Sequence, residues 1–518
     1  MSIRKAWLGM GLAVGAMAAL TSAANAQPVF KTNIVGDPAM VDPITYSEII
    51  AGRIMDKIYE GFSANTAEGK IVPSLATDWK ANADATSWTF TLRKGVKWHS
   101  GREFTAKDVK YTFEQLLTPG NKAGLNSDYL SAVVGAKEMK DGTAKELAGL
   151  TIVDPYTVEV KFTAPEVLFP IYPFYLMDAG IVAEQGPDWM TKVSAGTGPF
   201  KFNSWKRNVE VKIDAFKDYW DGAPTIGGVQ FLIVPNADTA LSMYEAGELH
   251  FALLADSLAR RLINDPKYKD QLVQAARAQI NYLGMNQNLY APFKDKRVRE
   301  AVSLALDRPA MMKGLWGGTA LPLNGQVTPG VAGFTPGLPE LKYDPERAKQ
   351  LFAEAGYPGG KGLPPIEIQS TEPFKDELAY YANQFKRVLG WDVQVKVVER
   401  ATMIRQMNAG EIPFFPWGWT AGYPDAMYYL SQVWYSKSPY NRSRWSNAEF
   451  DKVIDKARTV ANAEERYKLY AQAEKILMDD WGTAPLPILS NIALRKPNVK
   501  NVTMTPFGYS DFNKITIN

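Results

Sequence analysis

Apolar and polar positions follow two rhythms along this chain. Over residues 87–93, Trp88, Phe90 and Leu92 fall on one face, and Thr89, Thr91 and Arg93 on the other. A period of two predicts a half-buried strand. Tyr156, Val158, Val160 and Phe162 repeat it, as do Val209, Val211 and Ile213. Residues 231–234 and 393–398 predict strands buried more deeply. The second rhythm is helical. Thr105-Ala106-Lys107-Asp108 has the form of a capping box, with Val109, Phe113 and Leu116 following at helical spacing. Asp344 caps a helix whose first residue is Pro345, whose stripe is Ala348, Leu351, Phe352 and Ala355, and which Gly356 ends. Ser446-Asn447-Ala448-Glu449 predicts a box ahead of Phe450, Val453, Ile454 and Ala457. Asn462 with Glu465 opens another helix, striped by Leu469, Ala473, Ile476 and Leu477.

Strands and helices interleaved at this density predict an α/β protein. Residues 318–341 and 357–365 are rich in Gly and Pro with apolar residues between, and predict ordered surface loops. No internal repeat or low-complexity tail interrupts the pattern. At roughly 150 residues per domain, 518 residues suggest three to four domain-sized units. Hydrophobic residues at 46% and charged residues at 22% exclude disorder. A net charge of +3 offers no basic surplus for a nucleic acid backbone, so no nucleic acid partner is expected.

Cysteine is absent, which removes disulfides, thiolate metal sites, thiol nucleophiles and a lipid-anchoring cysteine together. Only His99 and His250 are available, so a multi-histidine metal site in one chain is not expected. The first residues have the form of an export signal. Arg4 and Lys5 precede an apolar run over 6–20, and Ala24-Asn25-Ala26 is a small-x-small cleavage pattern. The run falls short of the ~20 residues that a membrane span needs. Cleavage would leave a chain beginning at Gln27 with net charge +1, soluble and outside the cytoplasm.

Catalytic signatures fail in turn. There is no Gly-x-Ser-x-Gly elbow and no His-Glu-x-x-His. Gly196-Thr197-Gly198-Pro199 lacks the third glycine of a dinucleotide loop. Gly360-Lys361 follows a helix pattern and has Gly362 where a P-loop needs Ser or Thr. His99 lies in a strand-to-helix turn and is expected to be solvated; His250 lies at a helix-to-strand corner. No pair of acids is singled out for glycoside hydrolysis. Residues 414–440 concentrate Phe414, Phe415, Trp417, Trp419, Tyr423, Tyr428, Tyr429, Trp434, Tyr435 and Tyr440. Pro416, Gly418, Gly422 and Pro424 prevent one regular helix there. Such a segment is either an aromatic core corner or a pocket wall.

Residues 88–101, with Phe104-Thr105-Ala106-Lys107-Asp108-Val109, closely resemble the signature of family 5 extracellular solute-binding proteins, the dipeptide, oligopeptide and nickel binders of ABC importers. Gly196-Thr197-Gly198-Pro199-Phe200, Tyr219-Trp220, Gly247-Glu248, Asn286, residues 297–301, residues 343–348 and residues 355–358 are similar to further family segments, in the family's order. The resemblance implies an α/β, two-lobed Venus-flytrap fold with three domains. Domain I would comprise 27–60, 192–278 and 483–518; domain II 61–191; and domain III 279–482. Crossovers near 275–282 and 480–488 would serve as hinges. It further implies a periplasmic protein that closes on a small-molecule or peptide-like ligand and delivers it to an ABC permease, without catalysis or cofactor; with no cysteine and an exported chain, a monomer is expected.

In the family's peptide binders, a Trp-x-x-Asp stretch supplies an aspartate for the ligand's amine. Here it reads Trp419-Thr420-Ala421-Gly422, followed by Tyr423-Pro424-Asp425. Glu372 falls near the place where dipeptide binders hold a carboxylate with arginine. Both departures argue against a plain dipeptide. The expected ligand-binding set is Met40, Val41, Glu372, Trp417, Trp419, Thr420, Ala421, Gly422, Tyr423 and Asp425. Trp419 would pack on the solute and Asp425 would give a polar contact. A metal-chelate or haem carrier of the same fold, a chemoreceptor accessory and a secreted hydrolase remain alternatives.

Overall fold

The computed structural model describes residues 27–518 apart from 47, 186–188, 190, 191 and 510. The export-signal reading of residues 1–26 lies outside these residues. Among the described residues no helix is long and apolar enough to cross a membrane.

Three sheets organise the chain. The largest runs Leu272–Ala276, Ile488–Arg495, Phe251–Leu253, Val29–Ile34, Gly228–Ile233, Glu210–Ala215 and Phe200–Lys206, with Ala320–Leu321 paired to Ile488–Arg495. An antiparallel sheet of Ala76–Ala81, Ser87–Leu92, Thr157–Lys161 and Leu150–Asp154 shares its core. The third runs Val393–Val398, Ile366–Thr371, Phe414–Thr420, Gln279–Met285 and Ala484–Leu486. Helices cover both of its faces. Lys296–Leu304, Pro345–Glu354 and Lys375–Leu389 pack on one; Arg400–Ala409, Ala448–Ala457 and Ala463–Asp479 pack on the other.

The chain passes between the first and third sheets twice, and the two passages are adjacent. Leu272–Ala276 belongs to the first sheet and Gln279–Met285 to the third, so residues 277–278 form one passage. Pro487 separates Ala484–Leu486 from Ile488–Arg495 and forms the other. These passages fall within the segments 275–282 and 480–488.

The period-two patterns become strands with Trp88, Phe90, Leu92, Val158, Val160, Val211 and Ile213 buried, whereas Tyr156 and Val209 precede their strands in turns and Val209 is exposed. The helix starts also form. The Thr105 amide donates to the Asp108 carboxylate at 2.9 Å. Asp344 accepts from the Arg347 amide at 3.0 Å, and Gly356 follows that helix at φ +94°. Asn462 accepts from the Glu465 amide at 3.0 Å. The box expected at Ser446 starts one residue later: Asn447 is the cap, accepting from Glu449 and Phe450.

Three local expectations give way to tertiary context. Val393–Val398 is an edge strand with one neighbour, so much of it is exposed despite its valines. The 318–341 stretch is not simply a surface loop. Leu323, Gln326, Val327, Thr328, Val331 and Ala332 are buried, and the Glu474 carboxylate accepts from the Gln326 and Val327 amides at 2.6 and 2.9 Å. His99 is buried, not solvated. It packs edge-on to Phe216, its Nδ1 lies 2.8 Å from Ser194 Oγ, and its Nε2 lies 2.9 Å from the Gly198 carbonyl. The Gly196–Gly198 turn therefore has a packing role: a Cβ on Gly196 would sit 1.8 Å from the Ile58 carbonyl oxygen.

Candidate functional site

In open α/β sheets, ligands bind at the carboxyl edge of the parallel strands. In the third sheet, Ile366–Thr371 runs parallel to Val393–Val398 and to Phe414–Thr420. Their carboxyl ends meet the start of antiparallel Gln279–Met285, where Gln279 pairs with Thr420 and Asn281 with Gly418. Both passages to the first sheet open at this edge.

A cavity of about 520 Å³ lies here. The sheet edge contributes Gln279, Asn281, Ser370, Trp417, Gly418 and Thr420; the passages contribute Arg277 and Pro487; and the helix Asp256–Leu262 contributes Asp256 and Arg260. Trp316, Glu377, Tyr381 and Arg400 complete much of the wall. That volume falls in the range of small-molecule sites.

The charge of this wall is lopsided. Arg277 is paired with Asp256, Nη1 lying 3.3 Å from Oδ2. Arg260 donates to the Leu315 carbonyl at 3.0 Å, and Arg400 is exposed at the start of its helix. Burial pushes the Glu377 carboxyl up to about 7, against the weaker opposing effect of the Trp316 Nε1–H, which donates to it at 3.2 Å. Burial thus weakens the negative charge of Glu377, and the three arginines outweigh the acids. The arrangement can hold an anionic group through charge-assisted hydrogen bonds, with Gln279, Asn281, Ser370 and Thr420 supplying neutral ones.

The strand register sorts the expected residues. Thr420 and Gly418 share the cavity face with Gln279 and Asn281; the Thr420 hydroxyl donates to Gln279 Oε1 at 3.2 Å. Trp417 and Trp419 pair with Tyr282 and Ile280 and pack towards the aromatic core. Trp417 also lines the cavity. Trp419 is half-buried against Tyr428 and Tyr440. A Cβ on Gly422 would lie 3.0 Å from the Tyr428 hydroxyl, so that phenol occupies space beside the glycine. Ala421 is buried and donates its amide to the Ala278 carbonyl at 2.8 Å, tying the segment to the passage. Tyr423 is buried, its ring 5.2 Å from that of Tyr172 and 6.4 Å from that of Tyr129.

The structure separates the others from this edge. Asp425 is fully buried, accepts from the Met427 amide at 2.9 Å and faces Arg466 at 3.8 Å. It has no surface to offer a solute, because the chain turns inward after Tyr423. Val41 is in the core of the first lobe. Met40 is exposed, and Glu372 is a surface residue paired with Lys375 at 3.5 Å. Sequence reasoning missed Arg260, Arg277, Gln279, Asn281, Trp316, Glu377 and Arg400. They come from separate elements and carry no shared local motif. Only the expected crossover at 275–282 pointed towards Arg277 and its neighbours.

Residues 70–441 match the model for the middle region of bacterial extracellular solute-binding proteins, family 5. The chain is 28% identical to Heme-binding protein A of Haemophilus influenzae, over 93% of this chain and 90% of that protein. It resembles the unliganded open form of the murein tripeptide-binding protein MppA with a TM-score of 0.85 and 27% identity, covering 95% of this chain and 98% of that one. Haemophilus influenzae OppA in complex with RPPGFSPFR matches with a TM-score of 0.65 and 25% identity, over 95% of this chain and 99% of that one.

Proposed function

We propose, since the chain belongs to the bacterial extracellular solute-binding proteins of family 5, that it captures a peptide-like organic solute for an ABC importer and does no chemistry on it. The observation that carries the finer reading is the cavity at the carboxyl edge of the third sheet, beside both inter-sheet passages and rich in arginine. A solute bound there lies between elements of both lobes, and lobe closure adds contacts that the open arrangement lacks. Such differential contact is what a hinge-closing binder requires.

Residues 277–278 and Pro487 are the hinge in this reading. The lobes are divided as 27–60, 192–278 and 483–518 (domain I), 61–191 (domain II) and 279–482 (domain III). Closure presents both lobes to a membrane permease. The lobes as they stand here resemble those of an unliganded open form. The protein works as a periplasmic monomer, exported and cleaved after Ala26; the intact mass of exported protein beginning at Gln27 tests this.

Native mass spectrometry of freshly purified protein tests the ligand class. A co-purified peptide-like acid, recovered unchanged after incubation, is the expected result. Haem absorbance would favour the haem-carrier reading suggested by the Haemophilus relative. Consumption of the bound compound would overturn the non-catalytic reading.

A further inference from the structure

Four buried arginines of the third-sheet lobe make an internal comparison. Arg299 donates to the carbonyls of Phe293, Lys294, Asp480 and Trp481 and to the Asp480 carboxylate. Arg308 donates to the Pro485 and Ser303 carbonyls and to Ser303 Oγ. Arg466 donates to the Val460 and Ala461 carbonyls and to the Tyr470 hydroxyl, opposite Asp425. These three are satisfied as buried guanidinium groups normally are.

Arg442 is not. It is 6% exposed, and its hydrogen-bonded partner is Asn408, 2.9 Å from Nη2. Nε and Nη1 are buried with no acceptor. Among the described residues no carboxylate pairs with it, and the ionisable groups that act on it are the phenols of Tyr282 and Tyr440. Its guanidinium instead stacks on two rings, 5.0 Å from Trp417 and 5.5 Å from Trp419. The Trp419 Nε1–H, which can only donate, is also buried without a partner, as is the Tyr282 hydroxyl. A buried cation lacking its acceptors is expensive to keep. Donors gathered without acceptors form a receptor for an anion.

We propose that Arg442, with Trp419 and Tyr282, is an anion-recognition subsite for one end of the solute, resting on the peptide-like reading above. Trp417 connects it to the cavity, whose wall it shares while carrying the guanidinium on its ring. Tyr440 is 40% exposed, and its ring lies 5.0 Å from that of Trp419. It is the exposed ring beside these buried donors and acts on the Arg442 charge, so the subsite meets solvent at Tyr440. An ammonium finds no counter-charge here, because Asp425, the acid nearest along this segment, is turned to Arg466. The subsite therefore selects a solute whose end at Trp419 is a carboxylate or similar anion, not a free amine.

Titration calorimetry with trialanine, N-acetyl-trialanine and N-succinyl-trialanine tests this. These probes place an ammonium, a neutral amide and a carboxylate at the same end. The succinyl compound should bind at least about ten-fold tighter than trialanine, in line with a charge-assisted hydrogen bond. Arg442→Gln should abolish that ratio, and Arg442→Lys should keep part of it. Thermal melting of each variant establishes that it folds; should Arg442→Gln fail to fold, Arg442→Lys and Trp419→Phe carry the comparison, and each should lower the ratio. Trialanine binding tightest, or an unchanged ratio in the folded variants, overturns this proposal alone. Binding of none of the probes overturns the peptide-like reading and this proposal with it.

Discussion

His99 offers a prediction whose size follows from its surroundings. The imidazole is buried, with Nε2 directed at the Gly198 carbonyl and Nδ1 at the Ser194 hydroxyl. The Gly198 carbonyl can only accept, so Nε2 carries a proton; Nδ1 of the neutral ring then accepts from the Ser194 hydroxyl, whose oxygen takes the Phe202 amide at 2.8 Å. Burial pushes the imidazole pKa down to about 3, with Lys201 adding to the effect and the Gly198 hydrogen bond opposing it. The unfolded chain titrates near 6.5, so between pH 6.5 and 3 it binds a proton that the folded chain refuses. Stability contributed by the neutral ring is therefore present above pH 6.5 and is lost as pH falls. At 1.36 kcal/mol per unit, going from pH 7 to pH 5 removes about 2 kcal/mol through this residue.

Three glutamates work in the opposite sense. Burial raises Glu60, Glu377 and Glu474 to about 7, so acidification to pH 5 protonates them in the fold and favours it. Global stability alone would mask His99. Urea unfolding of wild type and His99→Gln at pH 7 and pH 5 isolates it. The variant is weaker at pH 7, since it loses the edge-on contact with Phe216. The difference between the proteins should shrink by about 2 kcal/mol at pH 5. Because the chain has only two histidines, ring-selective NMR checks the cause directly. A His99 resonance that titrates between pH 6 and 7, or an equal pH response in both proteins, refutes the reasoning.

Other perturbations have equally direct readouts. Trp419→Ala should weaken solute binding at least about ten-fold while leaving the melting temperature within a few degrees, as calorimetry and thermal melting will show. Gly196→Ala forces a Cβ against the Ile58 carbonyl and should destabilise by about 3 kcal/mol, read by urea unfolding. Arg102→Met removes the charge partner of Asp108 and Asp178, both buried, leaves them only neutral donors such as the Thr105 amide and the Ser100 hydroxyl, and should lower stability by on the order of 2 kcal/mol. Solute at about 100 times Kd should stabilise the protein by ~2.7 kcal/mol, seen as an upward thermal shift.

Much of the architecture was legible because it is decided locally. The alternation over 87–92 and the caps at Asp344 and Asn462 need only neighbours within a few residues, and they appear in the fold where the pattern put them. The order of family-like segments pointed to an α/β binding protein. The excess of aromatics after Phe414 marked a segment that runs to the sheet edge. Other properties were decided by what other segments of the chain bring alongside. Val393–Val398 is exposed because the sheet ends there, and residues 323–332 are largely buried because Glu474 and its helix receive their backbone. Asp425 and Arg442 show the difference most clearly. In the sequence, the acid looked like a binding group and the arginine carried no signal. The fold encloses Asp425 with Arg466 and leaves Arg442 against two tryptophans without an acid. A residue's type states which charge it can carry; whether that charge is already answered depends on partners distant in sequence, and only the tertiary structure supplies them.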